Sequence, residues 1–201
     1  MIENVFAIPI YTTKVKDFVG ISAEVNNAIE HSKFANEWQP DNDTAKTTFI
    51  PQQETNVLRK FSMEKLANEI FDNAEIYLNE TKQPIKQNTV SIEQSWINIF
   101  EESQHIGTHE HGYQPNTLSG VYYHSAPSGC GNIIFKNQNP FVISFPHQSP
   151  LYSNLHTVEA TEGLLILFPS WLLHKVEPNR SGKQRCSLSF NIAFDYIFYG
   201  D

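Results

Sequence analysis

The sequence predicts a mainly β fold with N-terminal helices, in which a jelly roll or related double-sheet barrel is backed by the helices. From Ser91 onward helical periodicity is absent, and short apolar or alternating segments are separated by glycine, proline, serine and asparagine. Many short strands at such spacing are typical of a jelly roll. The segment 186–194 alternates between an apolar and a polar face, as expected of a strand between a helix layer and a lined interior.

The second part of the chain contains eight segments that fit this strand pattern. They are predicted at residues 95–100, 118–123, 133–135, 141–145, 156–159, 164–168, 171–176 and 186–194.

The first part of the chain is mixed in character. Segment 5–11 predicts a short edge strand, because it contains a proline that cannot donate to a central ladder. Segments 22–31 and 62–77 predict helices, the second with a regular apolar face and with Ser62 near its N-cap. Segment 36–48 is polar and predicts a surface loop.

Length and composition indicate one folded domain. At 201 residues, with 40% hydrophobic and 12% aromatic residues, the chain can bury a sizeable core and is not expected to be disordered. We expect a single domain, 1–201. Residues 1–89 would supply an N-terminal strand and supporting helices, and residues 90–201 would form the barrel core.

Charge and cysteine content limit the classes of partner. A net charge of −8 argues against nonspecific binding to nucleic acid or anionic lipid. The two cysteines, Cys130 and Cys186, suit a reducing cytoplasm better than a disulfide framework. No signal peptide is visible, and the longest apolar run, 163–168, is too short to span a bilayer. We therefore expect a cytoplasmic protein without a membrane partner, and a homodimer stays open.

Three histidines are candidate metal ligands. His109 and His111 are two residues apart, so on an extended strand both rings project from one face. His174, from a distant strand, could supply the third ligand of the metal. The remaining coordination positions of the metal would accept a small acid and dioxygen, as in non-haem iron sites. The His109–His111 pair alone is also compatible with zinc or nickel.

Arg185 and Ser187 are candidates for a carboxylate clamp. A dicarboxylate that chelates a metal through one end leaves its far carboxylate buried, and that charge needs an arginine and a hydroxyl donor. Arg185 lies eleven residues after His174, enough for one strand, a turn and the start of a hairpin neighbour. Tyr123, with a core role as the alternative, and Asn98 are further candidates for binding the cosubstrate or lining its cavity.

Five motifs follow one another in this part of the chain. They are Trp96-Ile97-Asn98, His109-Glu110-His111, Leu118-Ser119-Gly120-Val121-Tyr122-Tyr123, the stretch from Gly163 to His174, and Arg185-Cys186-Ser187-Leu188-Ser189-Phe190-Asn191. Together they resemble a group of 2-oxoglutarate/iron(II) oxygenases found in bacteria and in phages, especially phages of marine cyanobacteria. The resemblance covers residues 90–195 and, weakly, the stretch 6–11.

The resemblance implies a double-stranded β-helix (cupin-like) dioxygenase. Such an enzyme uses Fe(II), the cosubstrate 2-oxoglutarate and dioxygen to hydroxylate a small molecule or protein side chain that the sequence does not identify, and it releases succinate and CO2. By position, the resemblance implies that His109 and His174 bind iron and act as catalytic residues, and that Arg185 with Ser187 binds the distal carboxylate. A phage-encoded protein would work in the host cytoplasm.

The middle ligand departs from the family pattern, because His111 stands where a carboxylate is usual. We expect His111 to be the ligand, with Glu110 in a distorted loop as the alternative. Two rival interpretations are a three-histidine, cupin-like metalloenzyme without 2-oxoglutarate and a catalytically inactive metal-binding barrel. The Arg185-x-Ser187 pair argues against both, because neither requires a buried clamp.

Overall fold

The computed structural model describes residues 7–36, 45–50, 55–86, 88–112, 117–139 and 153–197. In these ranges the chain forms three helices and eleven strands. In chain order they are β1 (Tyr11–Lys14), α1 (Phe18–His31), β2 (Ala35–Asn36), β3 (Lys46–Thr47), α2 (Val57–Lys60), α3 (Glu64–Glu80), β4 (Ser91–Phe100), β5 (Ile106–His109), β6 (Thr117–Ser125), β7 (Ile133–Lys136), β8 (Leu155–Val158), β9 (Leu164–Pro169), β10 (His174–Val176) and β11 (Arg185–Ala193).

The described strands make two antiparallel sheets. The larger sheet has seven strands in the order β1-β9-β6-β11-β4-β3-β2, and the smaller has four in the order β5-β10-β7-β8. Consecutive strands are rarely neighbours, because the chain crosses repeatedly between the sheets, as in a jelly roll. The predicted mainly β fold with a double-stranded β-helix core is confirmed.

The large sheet is buried on both faces, which explains its nearly continuous apolar strands. On β9, Leu165 and Leu167 pack toward the helices, whereas Ile166 and Phe168 pack between the sheets. Strand β6 divides in the same way, since Tyr122 belongs to the helix-side core. Two hydrophobic layers therefore hold the large sheet, and its inner face forms one wall of the site.

The helices cover the outer face of the large sheet. Helix α1 begins after Asp17, whose Oδ1 accepts a hydrogen bond from the backbone N–H of Gly20 at 2.9 Å. Helix α3 buries an apolar face that includes Leu66 and Ile70, both fully buried. No helix among the described residues is long and apolar enough to cross a membrane.

Several predicted boundaries need correction. Helix α3 starts at Glu64, and Ser62 is not its N-cap: Met63 takes that place without a side-chain bond, and Ser62 has a φ of 50°. In the predicted strand 171–176, only His174–Val176 is a strand, because a turn precedes it.

The predicted loop 36–48 and edge strand 5–11 are only partly described. The two ends of the predicted loop form paired strands β2 and β3, which extend the large sheet beside β4. The edge strand starts later than predicted, at Tyr11, and pairs with β9. The predicted strand at 141–145 and residues 1–6 and 37–44 lie outside the described residues.

Candidate metal and cosubstrate site

Three histidine side chains converge where β5 ends and β10 begins. His109 is the last residue of β5 and lies opposite His174, the first residue of β10. His111 follows beyond the end of β5, where its backbone N–H donates to the carbonyl of Ser170 at 2.9 Å. One nitrogen from each ring can be chosen so that all three lie within 4.8 Å of one another. The sequence therefore predicted the convergence correctly, although His111 is not within the strand.

Hydrogen bonds at Nδ1 orient two of the three rings. His109 Nδ1 lies 2.9 Å from the carbonyl oxygen of Gly107, and His174 Nδ1 lies 2.8 Å from that of Leu172. A carbonyl oxygen only accepts, so each ring carries its proton on Nδ1 and keeps the Nε2 lone pair free. This is the usual outer-shell arrangement of histidines that bind a metal through Nε2.

Burial keeps the three rings neutral. It lowers the pKa of His109, lowers that of His111 to about 4, and lowers that of His174 well below its ordinary value, because each charged form would lose hydration. Neighbouring rings of the cluster further lower the pKa of His111 and of His174, whereas the charge of Glu110 opposes the shift of His109. Neutral imidazole is the form that binds metal. The cluster is therefore in a ligating state at neutral pH.

The Glu110 side chain lines the cavity beside His109 and His111 but is not one of the converging groups. Its carboxylate accepts a hydrogen bond from the backbone N–H of Gly112, and it is not part of the histidine cluster. This geometry favours His111 over Glu110 as the third ligand, as expected for neighbouring residues of an extended segment.

Arg185 is a buried cation with few partners. It is only 1% exposed, and its guanidinium carbon lies 3.7 Å from the centroid of the Phe100 ring. Nη1 donates to the carbonyls of Cys130 and Gly131 at 3.4 and 3.3 Å, which are long bonds, and Nε has no partner. No ion pair to Arg185 is found among the described side chains. A carboxylate group would compensate this charge.

The neighbours of Arg185 on the inner face are polar. Ser187 pairs with Tyr123 on β6 and with Asn98 on β4, so these three residues form one row across the sheet. All three are buried, and burial raises the pKa of Tyr123 to about 12, with the charge of Arg185 opposing. The Tyr123 hydroxyl is thus a protonated donor, as the binding of an anion requires.

A cavity of about 380 Å³ opens beside the histidines. Its wall includes His109 and His111, and also Asn98, as predicted. Arg185, Ser187 and Tyr123 are not part of this lining. The cavity therefore borders the histidine cluster and Asn98, whereas the other three residues of the predicted clamp lie outside its wall.

Sequence reasoning missed several residues of the site. Gln94, Trp96 and Asn191 also line the cavity, as do Thr47 and Phe49. Asn191 had a signal, since it lies on the polar face of the last strand. Thr47 had none, because segment 36–48 was predicted to be a loop and only pairing with β4 brings Thr47 to the cavity. Phe49, just after that segment, was not singled out by any pattern in the sequence.

The donor set fits an iron(II) and 2-oxoglutarate site. Three neutral imidazoles leave coordination positions open for a chelating cosubstrate and dioxygen. The buried, unpaired Nε of Arg185 fits the far carboxylate of a dicarboxylate.

A family model described as "Putative 2OG-Fe(II) oxygenase" matches residues 94–191, a span that contains the three histidines and the predicted clamp. Over this span the chain matches the 2OG-Fe(II) oxygenase family. Its cosubstrate and metal are accordingly 2-oxoglutarate (2OG) and iron. Among curated proteins, no sequence matches this oxygenase.

Solved structures share the fold of this oxygenase at low identity. An oxidoreductase of the 2OG-Fe(II) oxygenase family from Burkholderia pseudomallei has a TM-score of 0.61 at 12% identity, over 92% of this chain and 84% of that one. HygX from Streptomyces hygroscopicus, solved with nickel, 2-oxoglutarate and hygromycin B, gives 0.59 at 10% identity over 96% and 84%. A prolyl-4-hydroxylase from Pseudomonas putida gives 0.55 at 16% over 95% and 94%. At such identity these likenesses support the fold alone.

Proposed function

We propose that this oxygenase is a 2OG- and Fe(II)-dependent dioxygenase that hydroxylates a substrate held in the cavity beside the three histidines. The observation that carries the proposal is the buried Arg185, whose Nε has no partner among the described residues, in a barrel that also holds a cluster of three neutral imidazoles. A plain metal-binding barrel has no need for a buried cation, because an unpaired charge lowers stability.

His109, His111 and His174 would hold the metal through Nε2. Their Nδ1 hydrogen bonds fix the ring planes before the metal arrives, so little ordering remains to be done on binding. Three neutral ligands also leave the full positive charge of the metal at the site, which favours an anionic chelator in the open positions.

Arg185 would bind the distal carboxylate of 2OG, with Ser187 and Tyr123 as hydroxyl donors. All three lie on the inner face of adjacent strands, where water is excluded. A charge-assisted bond is strong in such a place. The three residues would thereby orient the cosubstrate with its keto acid end toward the histidines.

When bound, iron and 2OG supply the oxidising chemistry, in which dioxygen converts 2OG to succinate and CO2 and a hydroxyl group is added to the substrate. The chain itself contributes binding, orientation and exclusion of water. The cavity wall combines the aromatic pair Phe49 and Trp96, whose ring centroids lie 5.2 Å apart, with the amide of Asn98. The substrate carbon to be oxidised would enter from this side.

Anaerobic titration tests the proposal. Fe(II) with 2OG should give a metal-to-ligand charge-transfer band in the wild-type protein, since chelation joins the keto acid to the metal. Arg185→Lys should weaken 2OG binding by more than tenfold, because an ammonium cannot reproduce the forked donor geometry. Arg180→Lys, in the exposed turn before β11, is the matched control and should leave the affinity unchanged.

The outcomes separate the alternatives. Metal binding without any charge-transfer band would indicate a three-histidine metalloenzyme that does not use 2OG, or an inactive barrel, and would disprove the proposal. A band that is equally strong in Arg185→Lys and in the wild type would remove Arg185 from the clamp while retaining the metal site.

A further inference from the structure

Asn191 lies between a metal-site histidine and the cavity wall. Its Oδ1 is 2.9 Å from His111 Nδ1 and also accepts a hydrogen bond from the hydroxyl of Ser119 at 2.8 Å. Its Nδ2 donates to Gln94 Oε1 at 3.0 Å. Strand register explains this arrangement, since Asn191 on β11 pairs with Ser119 on β6 and with Gln94 on β4.

His111 is held differently from the other two rings of the cluster. The Nδ1 atoms of His109 and His174 face backbone carbonyls, which accept in any sequence. The Nδ1 of His111 faces side chains, among them an amide that could present either oxygen or NH₂. An amide oxygen keeps the ring proton on Nδ1, whereas an NH₂ group would require the proton on Nε2 and block ligation there.

The orientation of the Asn191 amide is itself supported. Gln94 Oε1 accepts from the NH₂ group, which turns the oxygen of Asn191 toward His111. Ser119, fully buried and hydrogen-bonded to the hydroxyl of Ser170 at 2.9 Å, donates to the same oxygen. Ser119 Oγ also lies 3.0 Å from His111 Nδ1. With the single Ser119 hydroxyl proton donated to Asn191 and the His111 ring proton on Nδ1, the two lone pairs of the amide oxygen accept from both groups.

We propose that Asn191 is a positioning residue that selects the metal-binding tautomer of His111, and that Gln94 on the cavity wall holds Asn191 in the required orientation. The inference rests on the proposed function only in taking His111 as a ligand. It explains how a histidine can serve at the position where a carboxylate, which needs no tautomer, is usual. It also means that a change at Gln94 reaches the metal through two successive hydrogen bonds.

The tautomer can be measured without any metal. In ¹⁵N-histidine-labelled, metal-free protein, long-range ¹H–¹⁵N spectra distinguish protonation at Nδ1 from protonation at Nε2. We expect His111 to be protonated at Nδ1 in the wild type, to be mixed in Asn191→Ala, and to return to Nδ1 in Asn191→Asp. Protonation of wild-type His111 at Nε2, or an Asn191→Ala spectrum identical to the wild type, overturns the proposal.

Metal affinity supplies the second measurement, with Co(II) as an air-stable spectroscopic probe. Asn191→Ala should weaken Co(II) binding by about 10- to 100-fold, the usual effect of removing an outer-shell partner, and Asn191→Asp should restore it. Gln94→Ala should have a smaller effect. Because Gln94 acts through Asn191, the double Ala variant should bind no more weakly than Asn191→Ala, whereas additive losses would disprove the relay.

Asn26→Ala is the matched control. Asn26 Oδ1 lies 2.9 Å from His124 Nε2, so this variant removes an asparagine–histidine hydrogen bond outside the cluster, and both the His111 tautomer and the Co(II) affinity should be unchanged. Neither measurement uses 2OG. A protein that shows the expected tautomer and Co(II) losses but no charge-transfer band with 2OG would disprove the dioxygenase proposal and leave the positioning role intact. Failure of the wild type to bind Co(II) would overturn both.

Discussion

His109 and His174 face each other across two antiparallel strands, and their ring centroids lie 4.3 Å apart. The pair belongs to the small sheet, so two of the three candidate ligands are positioned by strand pairing alone. His111 completes the set from beyond the strand end, at 5.1 Å from His174 by ring centroids.

Removing one ligand should abolish stabilisation by metal. At a Co(II) concentration of 100 times Kd, the wild type should gain about 2.7 kcal/mol in the free energy of unfolding, by mass action. His174→Ala should gain almost nothing, as measured by thermal unfolding with and without the metal. His156→Ala, an exposed histidine on β8 of the same sheet, should respond like the wild type. Equal gains in both variants would place the metal elsewhere.

A pair of variants can determine whether His111 or Glu110 is the third metal ligand. Glu110→Gln should change Co(II) affinity by less than about threefold, because its carboxylate contacts a backbone N–H rather than the cluster. His111→Ala should weaken it at least 100-fold, as measured by absorption titration. The opposite ranking would make Glu110 the ligand and require the segment after β5 to turn over on binding.

Arg185→Met should separate stability from function. The guanidinium is nearly fully buried and has no counterion in the part of the chain that the structure describes, so an apolar side chain of similar length should raise the free energy of unfolding of the ligand-free protein by about 1–3 kcal/mol. The same variant should lose all stabilisation by 2OG in the presence of metal. Urea denaturation with and without 2OG measures both effects. A less stable ligand-free variant would show that the contacts to Phe100 and Cys130 already compensate the charge.

Stability of the metal-free protein should fall in acid. Burial lowers the pKa of His111 from 6.5 to about 4, and that of His174 also falls. Between these values the unfolded chain binds more protons than the folded one, so the free energy of unfolding decreases as pH falls through 6.5 toward 4. Urea denaturation at about pH 7.5 and about pH 5 measures the difference, which His111→Gln should reduce. Equal stability at both pH values would contradict the assignment.

Gly120→Ala should disrupt the helix-side core. A Cβ at this position on β6 would lie 2.3 Å from the Phe190 ring and 2.7 Å from the carbonyl oxygen of Ile166, so backbone as well as side chain must move. We expect a loss of about 1–3 kcal/mol in the free energy of unfolding. Gly182→Ala, in an exposed turn with a φ of 68° and open space around it, should lose only about 1 kcal/mol. Equal losses would argue against tight packing at Gly120.

Much of this fold could be predicted from the sequence, because the spacing of apolar residues along a strand or helix indicates which of its faces is buried. The alternation of β11 separated Arg185 and Asn191 from Leu188 and Phe190 correctly, since each strand residue faces one layer only. His109 and His111 could be predicted as a pair because they are only two residues apart in the sequence. His174 was the only other histidine that lay in one of the five motifs.

Other features could not be read from the chain, because they depend on contacts between distant segments. Nothing in the sequence near Thr47 signals that it pairs with Asn98 and borders the cavity. The Gln94–Asn191 hydrogen bond likewise requires the register between β4 and β11. Ser62 was misassigned as a cap because capping residue types are common, and the backbone conformation that decides the matter is set by tertiary packing.

The three rings of the candidate site do not belong to a single layer of the barrel. His109 and His174 are carried by the four-stranded sheet, whereas His111 is tied through Asn191 to the seven-stranded one. A metal bound by all three rings would therefore link the four-stranded sheet to the seven-stranded sheet. Because the metal would bind the folded protein only, the empty enzyme would unfold more often than the loaded one, and proteases would cleave it first in a cell short of iron. Metal supply would in that way set the lifetime of the protein as well as its activity.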